Sequence, residues 1–156
     1  MEVHIIDLPP ARVACHRHVG PYGPALGAFW RGTVAPWMHS HGLDGRICYG
    51  VGLDDPQTTP PEQCRYNACV SVADDFQEDR QVGVTTLPGG RYAVMPFKGP
   101  TSGIAQAWQW FFSEWLPASG LQCDDRPCFE RFSATPGQGP ASGEFSCELC
   151  IPVKAQ

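Results

Sequence analysis

The chain repeats itself, and that repetition constrains the fold more than any single residue does. Val13-Ala14-Cys15-His16-Arg17-His18-Val19-Gly20-Pro21 opens a first copy, and Tyr92-Ala93-Val94-Met95-Pro96-Phe97-Lys98-Gly99-Pro100 opens a second. Further on, Gly42-Leu43 answers to Gly120-Leu121, and Cys48-Tyr49-Gly50 to Cys128-Phe129-Glu130. Cys69-Val70-Ser71-Val72 answers to Cys150-Ile151-Pro152-Val153. The offset stays between 78 and 81 residues throughout. One domain, residues 1–156, is therefore expected, built of modules at about residues 3–72 and about 82–153.

Each copy reads as strand, helix, strand, strand. Gly-Pro stops the first extended run and prepares a helix start. Leu26, Phe29, Trp30, Val34 and Trp37 then recur at helical spacing, as do Ile104, Ala107, Trp108, Phe111, Phe112 and Trp115. Pro36 falls inside the first stripe and predicts a kink or an end there. Pro117 predicts an irregular last turn in the second helix, with Gly120 placed to close it. The later strands are expected at residues 46–53, 65–72, 128–132 and 145–153. Polar, Pro- and Gly-rich loops at 54–62 and 135–143 join strand pairs, the second expected to be the more mobile. A charged stretch at 73–80 links the modules.

Hydrophobic residues make up 42% and charged ones 17%, a globular balance. The net charge of -5, with 11 scattered Lys and Arg, argues against a nucleic-acid surface. The first residues carry no basic and apolar leader, and no stretch reaches membrane-span length, so a cytoplasmic protein is expected. The eight cysteines then read as free thiols. Cys147 and Cys150, three apart on a strand, face opposite ways and cannot easily share a metal. No cofactor or metal is expected. The common hydrolase, protease, phosphate-loop and dinucleotide signatures are absent.

Aromatic surplus is the chemical clue, with five Trp, eight Phe and four Tyr in 156 residues. Packing accounts for Trp30, Trp108 and Trp115. Trp110 leaves the stripe, two positions from Trp108, so it is exposed, lodged against the other module, or lining a groove. Glu130 stands where the first copy has Gly50, on a short apolar strand, sharing a face with Cys128 and Phe132. Buried Glu is rare unless paired or used, although an edge carboxylate reaching water has the same pattern. Glu148 recurs similarly, where the first copy has Asn67.

Several ordered motifs carry a family resemblance. They are Arg17-His18-Val19-Gly20-Pro21-Tyr22-Gly23, Asp54-Asp55-Pro56 with Thr59-Pro60-Pro61-Glu62, and Arg65-Tyr66-Asn67-Ala68-Cys69-Val70. Leu87-Pro88-Gly89-Gly90-Arg91-Tyr92-Ala93-Val94, Glu114-Trp115-Leu116-Pro117-Ala118-Ser119-Gly120 and Cys128-Phe129-Glu130-Arg131-Phe132 complete them. Across almost the whole chain the sequence resembles the GyrI-like family, the small-molecule-binding domains also found in AraC-type and MerR-type multidrug regulators. The resemblance implies an α+β fold. Two pseudo-twofold strand-helix-strand-strand modules form an antiparallel sheet with helices on one side and a ligand cleft between them. It also implies that Glu130 holds cationic, lipophilic ligands at the base of an aromatic pocket, with Glu148 as a second acidic position. Phe97, Trp110 and Tyr66 are the aromatic positions it places along the cleft.

The sequence departs from that pattern at Asn67, commonly Asp in the family, and in the glycine-rich 135–143 loop. No helix-turn-helix precedes the first strand, so DNA reading by this chain alone is not expected. The expected function is a stand-alone binding protein for amphipathic, cationic small molecules. Alternatives are a hydrolase of cyclopropane-bearing genotoxins using Glu130 as catalytic residue, and an inhibitory partner of DNA gyrase. A separate interface motif for such a protein partner is missing from the sequence.

Overall fold

The computed structural model describes residues 2–133 and 145–156, so the glycine-rich loop at 135–143 lies outside the described residues. Among the described residues the strands are β1 (His4–Leu8), β2 (Ala11–Val19), β3 (Ile47–Gly52), β4 (Arg65–Ser71), β5 (Gly83–Leu87), β6 (Gly90–Gly99), β7 (Leu121–Cys123), β8 (Phe129–Ser133) and β9 (Phe145–Ala155). They form one antiparallel sheet in the order β1-β6-β9-β8-β3-β4-β2-β5, with β7 paired to β9.

That order forces the sheet to curl. In a flat sheet β1 and β2 would stand six strand spacings apart, roughly 29 Å. Only Pro9 and Pro10 join them, a link that spans no more than about 11 Å from Leu8 to Ala11. Pro88 and Gly89 impose the same closure between β5 and β6. The result is a curled half-barrel in which each copy lends its leading strand to the other. β1 opens the first module yet pairs with β6 of the second, and β5 opens the second yet pairs with β2 of the first. These short, mostly exposed edge strands were not expected from the apolar pattern, because few of their residues are buried.

Alternation along the strands divides the core into two layers. Ala14, Cys48, Tyr66, Ala68, Met95, Phe132, Cys147 and Leu149 face the helices and pack with Trp30, Val34, Trp37 and Phe111. Val13, Tyr49, Cys69, Tyr92, Val94, Phe129 and Cys150 form a second cluster on the opposite face. Burying a side chain such as Phe111 or Leu149 is worth about 1.5–3 kcal/mol.

The two helical segments carry the same irregularity. The first runs α1 (Pro24–Phe29), a π-turn (Trp30–Val34) and α2 (Ala35–Ser40). The second runs α3 (Ile104–Trp110), a π-turn (Phe111–Trp115) and α4 (Leu116–Ala118). Each π-turn lies just before a proline, Pro36 or Pro117. A proline ring clashes with the carbonyl four residues back, at Gly32 or Ser113, and offers no N–H. Widening the turn by one residue relieves the clash, so Pro36 neither ends the helix nor breaks its course. The extra residue also rotates the apolar stripe. Phe111 is fully buried whereas Phe112, expected in the same stripe, is 39% exposed. Gly42 and Gly120, at φ 68 and 78, follow the two helices in the left-handed conformation that favours glycine.

Candidate functional site

The two copies meet edge to edge at β3 and β8, where Gly50 stands directly opposite Glu130. Both belong to the helical face, because their neighbours two positions away, Cys48 and Phe132, are in that core layer. The pseudo-twofold therefore passes between a residue with no side chain and one with a carboxylate.

Glu130 is half-buried, and its Oε2 accepts a 2.8 Å hydrogen bond from Nε1 of Trp108 on α3. Its Oε1 lies 3.4 Å from the place a Cβ on Gly50 would occupy. That Cβ would also collide with the hydroxyl of Tyr66, whose buried ring reaches the seam from β4. Nε1 of Trp30 in the first helical segment donates to the Tyr66 hydroxyl at 3.0 Å. Each helical segment thus sends one indole N–H into the seam. Around them Trp30 meets Phe132 edge-on at 5.0 Å, and Phe132 meets Phe145 at the same distance. Trp108 stacks against Phe112 at 5.8 Å.

Burial raises the Glu130 pKa above its ordinary value of 4.5, and the Trp108 N–H pulls back in the opposite direction. Burial likewise pushes the Tyr66 phenol well up, with the Glu130 charge adding to it. Cys147, the counterpart of Tyr66 in the second copy, is shifted up by burial first and by Glu130 next. Among the described residues no Lys, Arg or His forms an ion pair with Glu130. A desolvated carboxylate surrounded by rings attracts a cation, or holds a proton that it can donate.

The other expected site residues are dispersed. Phe97 is half-buried and walls an open groove of about 460 Å³ with Pro96, Lys98, Gly103, Gln106 and Ala107. Glu130 is not among those walls, although Ala107 adjoins Trp108 in the chain. Trp110 is half-buried and packs against the helical-face core. Glu148 is not brought to Glu130. Alternation along β9 sends Cys147 and Leu149 to the helical face and Cys150 to the other, and Glu148 goes with Cys150. There its Oε1 accepts from Arg131 at 2.7 and 2.9 Å. Among the described residues no group of three or more His, Cys, Asp or Glu is placed to hold a metal ion.

Sequence reasoning missed Trp108, Trp30 and Gly50, reading the two tryptophans as packing alone. The repeat held part of the signal: Glu130 takes the place of Gly50, so the second copy exchanges a glycine for a carboxylate that Trp108 bonds.

Residues 1–154 match the family described as the GyrI-like small molecule binding domain. The chain belongs to the GyrI-like family. A DNA gyrase inhibitor of Edwardsiella piscicida is 32% identical over 158 residues, covering 99% of this chain and 99% of the relative. The Escherichia coli protein named "Probable transcriptional regulator YgiV" is 35% identical over 158 residues, covering 98% and 96%. Among solved structures, the EcmrR C-terminal domain superposes with a TM-score of 0.79 at 16% identity, covering 99% of this chain and 98% of that one. SAV2435 bound to tetraphenylphosphonium gives 0.58 at 16%, covering 99% and 94%. A hydrolase encoded by lin2189 from Listeria innocua gives 0.65 at 12%, covering 98% and 92%. Such low identities show the shared GyrI-like fold, a curled antiparallel half-barrel with two helices. Among the described residues no helix is long and apolar enough to cross a membrane.

Proposed function

We propose that this small-molecule-binding domain works as a receptor for amphipathic cations, with Glu130 as counter-ion at the seam between the copies. One observation carries the reading. A half-buried carboxylate faces the helices among aromatic rings, and its hydrogen bond comes from a neutral indole instead of a cation. Leaving such a charge without a counter-ion is costly, and an arriving lipophilic cation removes that cost while its apolar groups meet Trp108 and Tyr66. Phe97 and the groove it walls extend the apolar surface available to a larger ligand. SAV2435, which shares the fold, bears tetraphenylphosphonium in its solved structure, and that cation is a suitable probe.

Titration of tetraphenylphosphonium, followed by tryptophan fluorescence, tests the reading on wild type and Glu130→Gln. Gln keeps an acceptor for Trp108 and removes the charge. Affinity is expected to fall about tenfold or more, a loss of about 1.4 kcal/mol. Equal affinity overturns the assignment. Ionising the buried carboxyl costs stability as pH rises through the raised Glu130 pKa, and the same substitution removes that cost, so the variant melts no lower than wild type at neutral pH.

The raised pKa also supports a second reading, in which Glu130 moves a proton during hydrolysis of a strained-ring substrate. Turnover of a cyclopropane-bearing alkylator by wild type and not by Glu130→Gln selects it. The name of the Edwardsiella relative makes DNA gyrase a candidate partner as well, and a supercoiling assay with added protein decides that point.

A further inference from the structure

On the sheet face away from the helices, Cys15 of β2 and Cys69 of β4 stand directly opposite one another. Their sulfurs share a 2.7 Å hydrogen bond in which either one can be the donor. Directly opposed residues on antiparallel strands hold their Cα atoms about 4.5–5.5 Å apart. A disulfide spans about 4.4–6.8 Å, so this pair needs no backbone movement to close.

The two sulfurs differ in access. Cys69 is buried at 1% exposure, while Cys15 is half-buried. On its other flank Cys15 faces Gly83 of β5, which has no side chain to cover it. A Cβ placed on Gly83 would meet nothing nearer than Glu78 Oε2 at 3.8 Å. The space left is an open groove of about 300 Å³ with Cys15, Arg17, Asn67 and Gly83 in its walls. Asn67 Oδ1 accepts from Arg17 Nε at 2.6 Å, which holds the guanidinium beside the thiol.

We infer that Cys15 and Cys69 form a peroxide-reactive dithiol, with Cys15 as the attacking sulfur and Cys69 as the resolving one. The hydrogen bond from Cys69 and the Arg17 charge hold the Cys15 thiol below its ordinary pKa, against burial. Cys69, as donor of that bond and deeply buried, is pushed up and keeps its proton. The groove admits a small neutral oxidant such as hydrogen peroxide.

The Cys15 thiolate attacks one peroxide oxygen and the O–O bond breaks. Hydroxide leaves and takes up a proton to become water, and Cys15 becomes a sulfenic acid. Cys69 sulfur then attacks Cys15 sulfur, the S–O bond breaks, and the departing hydroxide takes the Cys69 proton as a second water. Two thiols and one peroxide give one disulfide and two waters. The new bond ties β2 to β4 within the first module.

The test is peroxide titration of the native chain, with peptide mapping by mass spectrometry. A Cys15–Cys69 cross-link is expected to form about tenfold faster than oxidation of Cys123, the exposed thiol. With dimedone present, Cys69→Ser should trap one adduct on Cys15, and Cys15→Ser none on Cys69 over the same period. Oxidation of Cys123 first, or a different pair cross-linking first, overturns the inference. The wild-type cross-link needs no variant, so a folding defect in either serine variant leaves the decision intact.

Discussion

The two copies use one backbone plan and arrive at different chemistry where they meet. In the first, the seam position is Gly50; in the second it is Glu130, bonded to Trp108 of the helix above it. The first copy contributes bulk and a neutral hydroxyl from Tyr66, where the second has the smaller Cys147. Neither copy could hold this arrangement twice. A second carboxylate in place of Gly50 would meet the Tyr66 hydroxyl and sit beside the first charge in a desolvated space. Repetition supplies a seam with two facing positions, and divergence fills one while keeping the other empty.

The largest effect should come from filling the empty side. Gly50→Ala places a Cβ against the Tyr66 hydroxyl and near Glu130 Oε1, and neither the buried ring nor the strand has room to yield. Overpacking of this kind costs about 1–3 kcal/mol. Displacing Tyr66 also loosens the bond from Trp30, worth about 1 kcal/mol. Urea denaturation measures the sum, and tetraphenylphosphonium affinity is expected to fall with it. Adding Tyr66→Phe removes the colliding hydroxyl and should recover part of the stability. An alanine variant as stable as wild type would mean that the copies are not held apart at this point.

How much of this asymmetry can be read from the residues alone depends on whether a signal is periodic. Core strands such as β4 and β9 declare themselves as apolar runs buried on both faces of the sheet, and the helices because Trp30, Val34 and Trp37 recur on one side. The edge strands β1 and β5 bury too little to show a pattern, and their exchange between modules follows from chain closure, which no local window contains. The candidacy of Glu130 was legible because an acid interrupts an apolar strand at a position where the repeat has glycine. Its partner was not legible, because Trp108 fits the apolar stripe and a hydrogen-bonded indole has the same spacing as a packed one. The π-turns were signalled by Pro36 and Pro117, but a proline alone does not say whether a helix will end or widen.

A smaller effect should sharpen the helix half of the comparison. Trp108→Phe keeps the ring and deletes the N–H that favours ionised Glu130, leaving burial to raise that pKa further. Cation binding needs the carboxylate charged, so in wild type the affinity for tetraphenylphosphonium falls as pH drops toward and through the raised Glu130 pKa, beginning above 4.5. In the variant the same fall should begin at higher pH. Well above both midpoints Glu130 is ionised in both proteins, and the affinities should then agree closely. Calorimetric titration across pH reads both quantities, and an unshifted midpoint would separate Trp108 from the charge state of Glu130.

The smallest effect belongs to the other carboxylate. Glu148 and Glu130 both interrupt apolar strands, and the strand pleat makes their fates different. Glu130 faces the helices, whereas Glu148 faces away and is neutralised by Arg131, with their side chains 39% and 23% exposed. A half-exposed ion pair of this kind contributes about 0–1 kcal/mol. Glu148→Gln is therefore expected to lower stability by no more than that and to leave tetraphenylphosphonium affinity unchanged, in contrast to the tenfold or greater loss for Glu130→Gln. The pair of variants isolates position from charge, since each removes one carboxylate from the same sheet. Equal losses would mean that the cation responds to the net negative charge of the domain, which screening by added salt would weaken for both alike. A loss confined to Glu130→Gln, and persisting at high salt, would locate the interaction in the desolvated seam.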